Sequence, residues 1–142
     1  MLNMAHQFRL AALVVLLVAA CPLAAGGASP TVDSTRWEGM YRNSQQNEVM
    51  RVRAKGSVIS VDIFSGGNGA WKLTTAWATT LTTPNYAEFR QRAEPNGLWL
   101  SLSFREEGAL LQVHDPAQPE APPAFFNRLS TADSDSIVGL PE

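Results

Sequence analysis

From Trp37 onward, apolar and polar positions alternate with a period of two. That is the period of a strand with one buried face, and not the 3.6 of a helix. The cleanest run sets Leu98, Leu100, Leu102 and Phe104 against Trp99, Ser101, Ser103 and Arg105. Ile59, Val61 and Ile63 alternate with Ser60 and Asp62, and Ala109, Leu111 and Val113 with Leu110, Gln112 and His114. Shorter runs of the same kind cover Trp37–Arg42, Val49–Arg53, Tyr86–Arg92 and Phe125–Leu129. The stretch Trp71–Thr83 is rich in Thr, Trp and Leu, all strand-compatible. A regular strand there would put Trp71, Leu73, Thr75, Trp77, Thr79 and Leu81 on one face, whereas Thr74-Thr75-Ala76 offers a place for it to break. Lys55-Gly56, Ser65–Gly69, Pro84-Asn85, Pro95-Asn96-Gly97 and Glu106–Gly108 punctuate these runs as turns or loops.

The pattern predicts an all-β domain of about seven to eight short strands, a small barrel or sandwich, over residues 36–129. The strands are expected to run antiparallel as a meander, because parallel neighbours need long crossovers. Pro116, Pro119, Pro122 and Pro123 exclude their segment from a central strand, so it is expected to cross the surface in extended form. Residues 130–142 are polar and acidic without a clear period and are expected to be a disordered tail.

The first 25 residues read differently. Arg9 precedes an unbroken apolar run from Leu10 to Ala20, which Cys21 and Pro22 end, and small residues follow. These are the three parts of a secretory signal, expected to form a helix. The run falls short of the about 20 residues that a membrane-spanning helix needs. Leu23-Ala24-Ala25 fits a signal-peptidase site, whereas Val18-Ala19-Ala20-Cys21 resembles the bacterial lipobox, with the cut before a lipidated Cys21. Both remain open. A lipidated Cys21 would fix the domain to a membrane, with the small and polar residues 26–35 as a flexible linker. The expected location is therefore the periplasm or cell envelope, with contact to a membrane through the possible anchor alone.

Composition narrows what such a domain does. Net charge is −2 with acids and bases interspersed, so there is no basic stripe for nucleic acid. Cys21 is the single cysteine, so neither a disulfide staple nor a cysteine-rich metal site is available. The ~115 residues left after the signal suffice for one core. His114 is followed by Asp115, but neighbours on a strand point to opposite faces and do not pair as a catalytic His and acid do. Ser65–Gly69 lacks the following helix and the Lys-Ser/Thr ending of a phosphate-binding loop. No metal, cofactor or catalytic set is expected, and the protein reads as a non-enzyme.

The opening Trp37-x-Gly39-x-Tyr41 and the closing Phe125-Phe126-Asn127-Arg128, with the hairpins between them, resemble small exported lipocalin-like and avidin-like barrels, including periplasmic lysozyme inhibitors. The resemblance implies a barrel whose last-strand arginine packs over the opening aromatic, and a binding role. The expected function is an exported binding module that engages a protein or a small apolar ligand through aromatic residues, in the barrel mouth or on an outer face. Trp99 is the leading candidate, standing on the face of Ser101, Ser103 and Arg105 and opposite the leucines. Trp71, Trp77 and Arg105 are its companions in the expected site. The alternative is a lipid-anchored accessory component of a bacterial envelope assembly, and the third reading is a small hydrolase.

Overall fold

Eight strands follow one another along the chain: β1 (Gly39–Asn43), β2 (Glu48–Lys55), β3 (Val58–Gly67), β4 (Ala70–Thr80), β5 (Tyr86–Arg90), β6 (Trp99–Phe104), β7 (Gly108–His114) and β8 (Ala124–Arg128). The structure is a computed structural model that describes residues 32–142 apart from 92 and 95. The predicted export signal and Cys21 lie outside the described residues. Every ladder is antiparallel, and the strand order is β4-β3-β2-β1-β8-β7-β6-β5. Each neighbour is therefore the next strand in sequence, except that β1 pairs with β8 through Tyr41↔Arg128 and Arg42↔Asn127. The two ends of that order, β4 and β5, come alongside one another, and the sheet curls into a nearly closed barrel.

The turn chemistry explains the hairpins. Lys55↔Val58 closes a two-residue turn in which Gly56 adopts φ +61°. Gly67↔Ala70 closes another in which Asn68 and Gly69 both have positive φ, 54° and 78°. That combination matches the right-handed twist of the strands it joins and suits Asn-Gly. Ser65–Gly67, expected as loop, therefore belong to β3, and only Asn68 and Gly69 turn.

In β4 the regular alternation fails at one residue. Ile63 faces Thr75 while Phe64 faces Leu73, so Thr74 bulges out without a partner. A single inserted residue exchanges the faces on either side of it. Thr75, Trp77 and Thr79 keep the inward face of Ile63, Val61 and Ile59, while Leu73, and with it Trp71, stands on the outward face of Phe64. The shared face expected for Trp71–Leu81 is corrected accordingly.

The inward face forms one core in which Tyr41, Met50, Ile59, Leu102, Ala109 and Phe126 are fully buried. Val49 and Phe64 are buried as deeply, 0% and 1% exposed, yet belong to the outward face and not to that core. The Arg51 guanidinium lies 5.0 Å over the Phe64 ring, and the C-terminal residues run along this side of the barrel. Ser130 caps a one-turn helix, α1 (Thr131–Asp135), by accepting from the Asp133 N–H at 3.1 Å. The chain then crosses the outside of the barrel. Gly139 is so close to the carbonyl of Gly69 that a Cβ there would lie 2.3 Å from its oxygen, and the Pro141 carbonyl accepts from the Arg51 guanidinium at 3.1 Å. Ile137 and Leu140 are half-buried along this path. Where the composition suggested a structureless tail, residues 130–142 thus form a helical turn and a strap over β2 and β3.

The amino-terminal edge of the domain also lies earlier than composition suggested. Ser34 is fully buried and donates to the Gly56 carbonyl at 2.6 Å, and Val32 packs on the core. Residues 32–35, read as linker, are part of the fold.

Candidate functional site

One end of the barrel is plugged. Asp33 accepts from the Thr35 N–H at 2.9 Å and starts a 3-10 turn over Thr35–Trp37. Trp37 is therefore not the first residue of a strand, as its alternation suggested. Its ring stacks on Phe104 at 5.0 Å between centroids, and its indole N–H donates to the Pro84 carbonyl at 2.6 Å. Tyr41 donates from its hydroxyl to the Trp37 carbonyl at 2.8 Å. Arg128 holds the turn from outside, donating to the carbonyls of Arg36 and Glu38 at 2.9 and 3.1 Å, with its guanidinium 5.9 Å over the Tyr41 ring. Burial shields the Tyr41 phenol, raising its pKa above 10.0 despite that cation.

The other end is open. Inward-facing side chains become progressively more exposed toward it: Phe104 and Leu102 are at 2% and 0%, Leu100 and Leu111 at 4% and 7%, and Val113 at 39%. The mouth so formed has a volume of about 270 Å³ and is walled by Ile63, Thr75, Leu100, Leu111 and Val113, with Pro122 of the proline segment as a lip. Its wall is mainly apolar, as small-molecule sites usually are. Larger hollows, of about 410 and 560 Å³, lie on the outside, against the β1–β2 turn and along the β4–β5 seam. Amide side chains and prolines line the first, while threonines, Glu88 and Arg90 line the second, which touches the core at Ala87.

Glu48 is the ionisable side chain in the mouth's lining. It precedes the buried Val49 and so faces inward with Met50. Ser65, its partner on β3, lies 3.5 Å from Oε1 and 2.9 Å from the Thr74 hydroxyl. Among the described residues no cation pairs with Glu48. Burial raises its pKa above the ordinary 4.5, and the Ser65 hydroxyl pulls the other way. Lys72, next to Ser65 in the same cross-strand row, is exposed and outside the lining.

The expected aromatic site is dispersed. Trp99 is half-buried on the outward face, its ring 3.7 Å from that of His114 and 9° from parallel, with the Arg90 guanidinium 3.9 Å over its other side. Arg105 stands beyond the opposite end of β6, in the turn to β7, so the cation beside Trp99 is Arg90. Trp71 and Trp77 lie on opposite faces of β4, and Trp77 packs against the core.

His114 has partners that its neighbour in sequence did not suggest. Its Nε2 is 2.9 Å from the Ser101 hydroxyl and its Nδ1 is 3.3 Å from Glu120, which the proline segment brings back over the sheet. Gln112 donates to the same carboxylate at 2.9 Å. Ser101 is 8% exposed and does not line the hollow beside Trp99 and His114. This line fixes the orientation of the imidazole against the Trp99 ring. Among the described residues no group of three or more His, Cys, Asp or Glu could hold a metal ion, and no helix is long and apolar enough to cross a membrane. Comparison with family models, with curated proteins and with solved structures finds no match to the chain.

Proposed function

We propose that the protein is a non-enzymatic binding module of the cell envelope that takes a small apolar ligand into the open end of its barrel. The observation that carries this reading is Val113. It is an inward-facing apolar residue that stays 39% exposed at the top of a core otherwise closed to water. Apolar surface held open in a concave, preformed site is the usual basis of small-ligand recognition. The Trp37 plug at the far end keeps the barrel a cup and not a channel. Support for export is the basic, apolar and small-residue order of residues 1–25, with release near Ala25 or retention through Cys21.

Titration with 2-naphthol, followed by amide chemical shifts, tests the mouth. Saturable binding, with shifts on β6 and β7 and abolished by Val113→Arg at unchanged melting temperature, is expected. Binding that survives Val113→Arg overturns the reading. Fractionation of a Cys21→Ser variant tests anchoring, since only a lipidated Cys21 predicts movement from membrane to soluble fractions.

A second reading rests on the order Ser101–His114–Glu120, which is that of a nucleophile, base and orienting acid. It predicts labelling of Ser101 by a fluorophosphonate probe. A protein that stays unlabelled when folded removes it.

A further inference from the structure

We infer that the ligand of the mouth is a small apolar amine, whose ammonium group pairs with Glu48 while its hydrocarbon body lies on Val113, Leu111 and Leu100. The inference rests on the mouth being the binding site. Three observations carry it.

The first is charge. Glu48 is a carboxylate in an otherwise neutral lining and lacks a cationic partner among the described residues. Elsewhere in the barrel two carboxylates do take a cation. Asp62 holds Arg51 and Arg53 at 3.0 and 2.6 Å, and Glu88 holds Arg90 at 3.2 Å. An ionised carboxylate in a partly desolvated apolar site is unfavourable unless something compensates it.

The second is donor capacity. Ser65 is the hydroxyl within reach of Oε1, at a long 3.5 Å, and Oε2 has no protein partner among the described residues. An ionised carboxylate only accepts hydrogen bonds, so a ligand that pairs with its open oxygen brings a donor. An alcohol supplies one donor. An ammonium supplies three and the opposite charge, and such charge-assisted bonds are roughly twice as strong as neutral ones. A carboxylic acid would bring like charge against Glu48.

The third is size. A mouth of about 270 Å³ lies just below the usual range for small-molecule sites, about 300–1,000 Å³. It suits one ring or a short chain and not a long acyl tail. The raised pKa of Glu48 is consistent with a site waiting for a cation, since a bound ammonium would lower it again.

The experiment is calorimetric titration of the domain at neutral pH with three isosteric probes: phenethylamine, 2-phenylethanol and phenylacetate. The amine is expected to bind at least tenfold more tightly than the alcohol, and the acid most weakly. Glu48→Gln should abolish the amine's advantage over the alcohol. Equal affinities of amine and alcohol in the native protein would overturn the ammonium pairing and leave the mouth as an apolar site. So would an amine preference that persists in Glu48→Gln. Failure of all three probes to bind would overturn the mouth reading together with the inference drawn from it.

Discussion

Trp37 lies flat on Phe104, with 5.0 Å between ring centroids and 16° between planes. This contact joins the 3-10 turn to the last residue of β6 and plugs the barrel at the end away from its mouth. Trp37→Ala removes the stacked ring, a buried indole hydrogen bond and the filling of the plug. It should cost about 3–5 kcal/mol, as large-to-small aromatic substitutions in cores do. Urea unfolding followed by circular dichroism checks this, with a lowered midpoint at unchanged slope expected.

The strap over the outer face makes a second prediction. A chain ending at Ser136 lacks Ile137–Glu142 and uncovers Val49 and Phe64, which are buried although they point away from the core. Burying one large apolar side chain contributes about 1.5–3 kcal/mol. The truncated barrel should therefore lose about 2–4 kcal/mol yet keep its strands, and bind an apolar fluorescent dye that the full chain excludes. Equal stability and equal dye binding in both would mean that something other than the strap covers the pair.

Glu48 sets a pH dependence. Burial holds its folded-state pKa above the unfolded value, so the folded protein binds this proton more tightly. Its contribution to stability is then complete below about 4.5 and is lost as pH rises through the raised value. Glu48→Gln should melt higher than the native protein at pH 7, modestly because the site is partly solvated, and match it below that value. Melting curves across this range decide it. A lower melting point at pH 7 would mean that the charge stabilises the fold.

Asp62, 6% exposed, bridges Arg51 and Arg53 on the outward face. Asp62→Asn leaves both guanidinium groups without their countercharge. With both arginines partly exposed, the loss should be about 1–2 kcal/mol. In 1 M salt the difference between the two proteins should narrow, because added ions screen the native pair. A difference that does not respond to salt would assign the loss to packing.

What could be read from the chain followed the range of the interactions involved. Leu100, Leu102 and Phe104 are buried on one face of β6, as their alternation predicted, because a strand's facing depends on its own period. Thr74 shows where this stops. Its bulge falls in the Thr74-Thr75-Ala76 stretch that the sequence offered as a break, but that the strand slips there and does not run on regularly is set by the pairing with β3. Ser101, on the polar side of β6, is nevertheless buried, because His114 on the next strand and Glu120 beyond it fold over that face. The mouth was least legible. Glu48, Thr75, Leu111 and Val113 come from three strands, and none is marked locally as a rim residue. Which end is open depends on where the Trp37 plug sits, a contact that spans the chain from Trp37 to Pro84 and Phe104.

The pairing of β1 with β8 also orders events in time. Tyr41 meets Arg128, so the ring joins the first strand to the last, and the loop it closes is nearly the whole domain. Four-strand meanders on either side can zip locally as they emerge from the ribosome, but β1 keeps one edge unpaired until β8 has been made. Closing so long a loop is slow, and the chain stays open meanwhile. Completion of the barrel thus waits for the synthesis of β8. Until that contact forms, the two meanders present unpaired edges, and the barrel is complete only when its first and last strands meet.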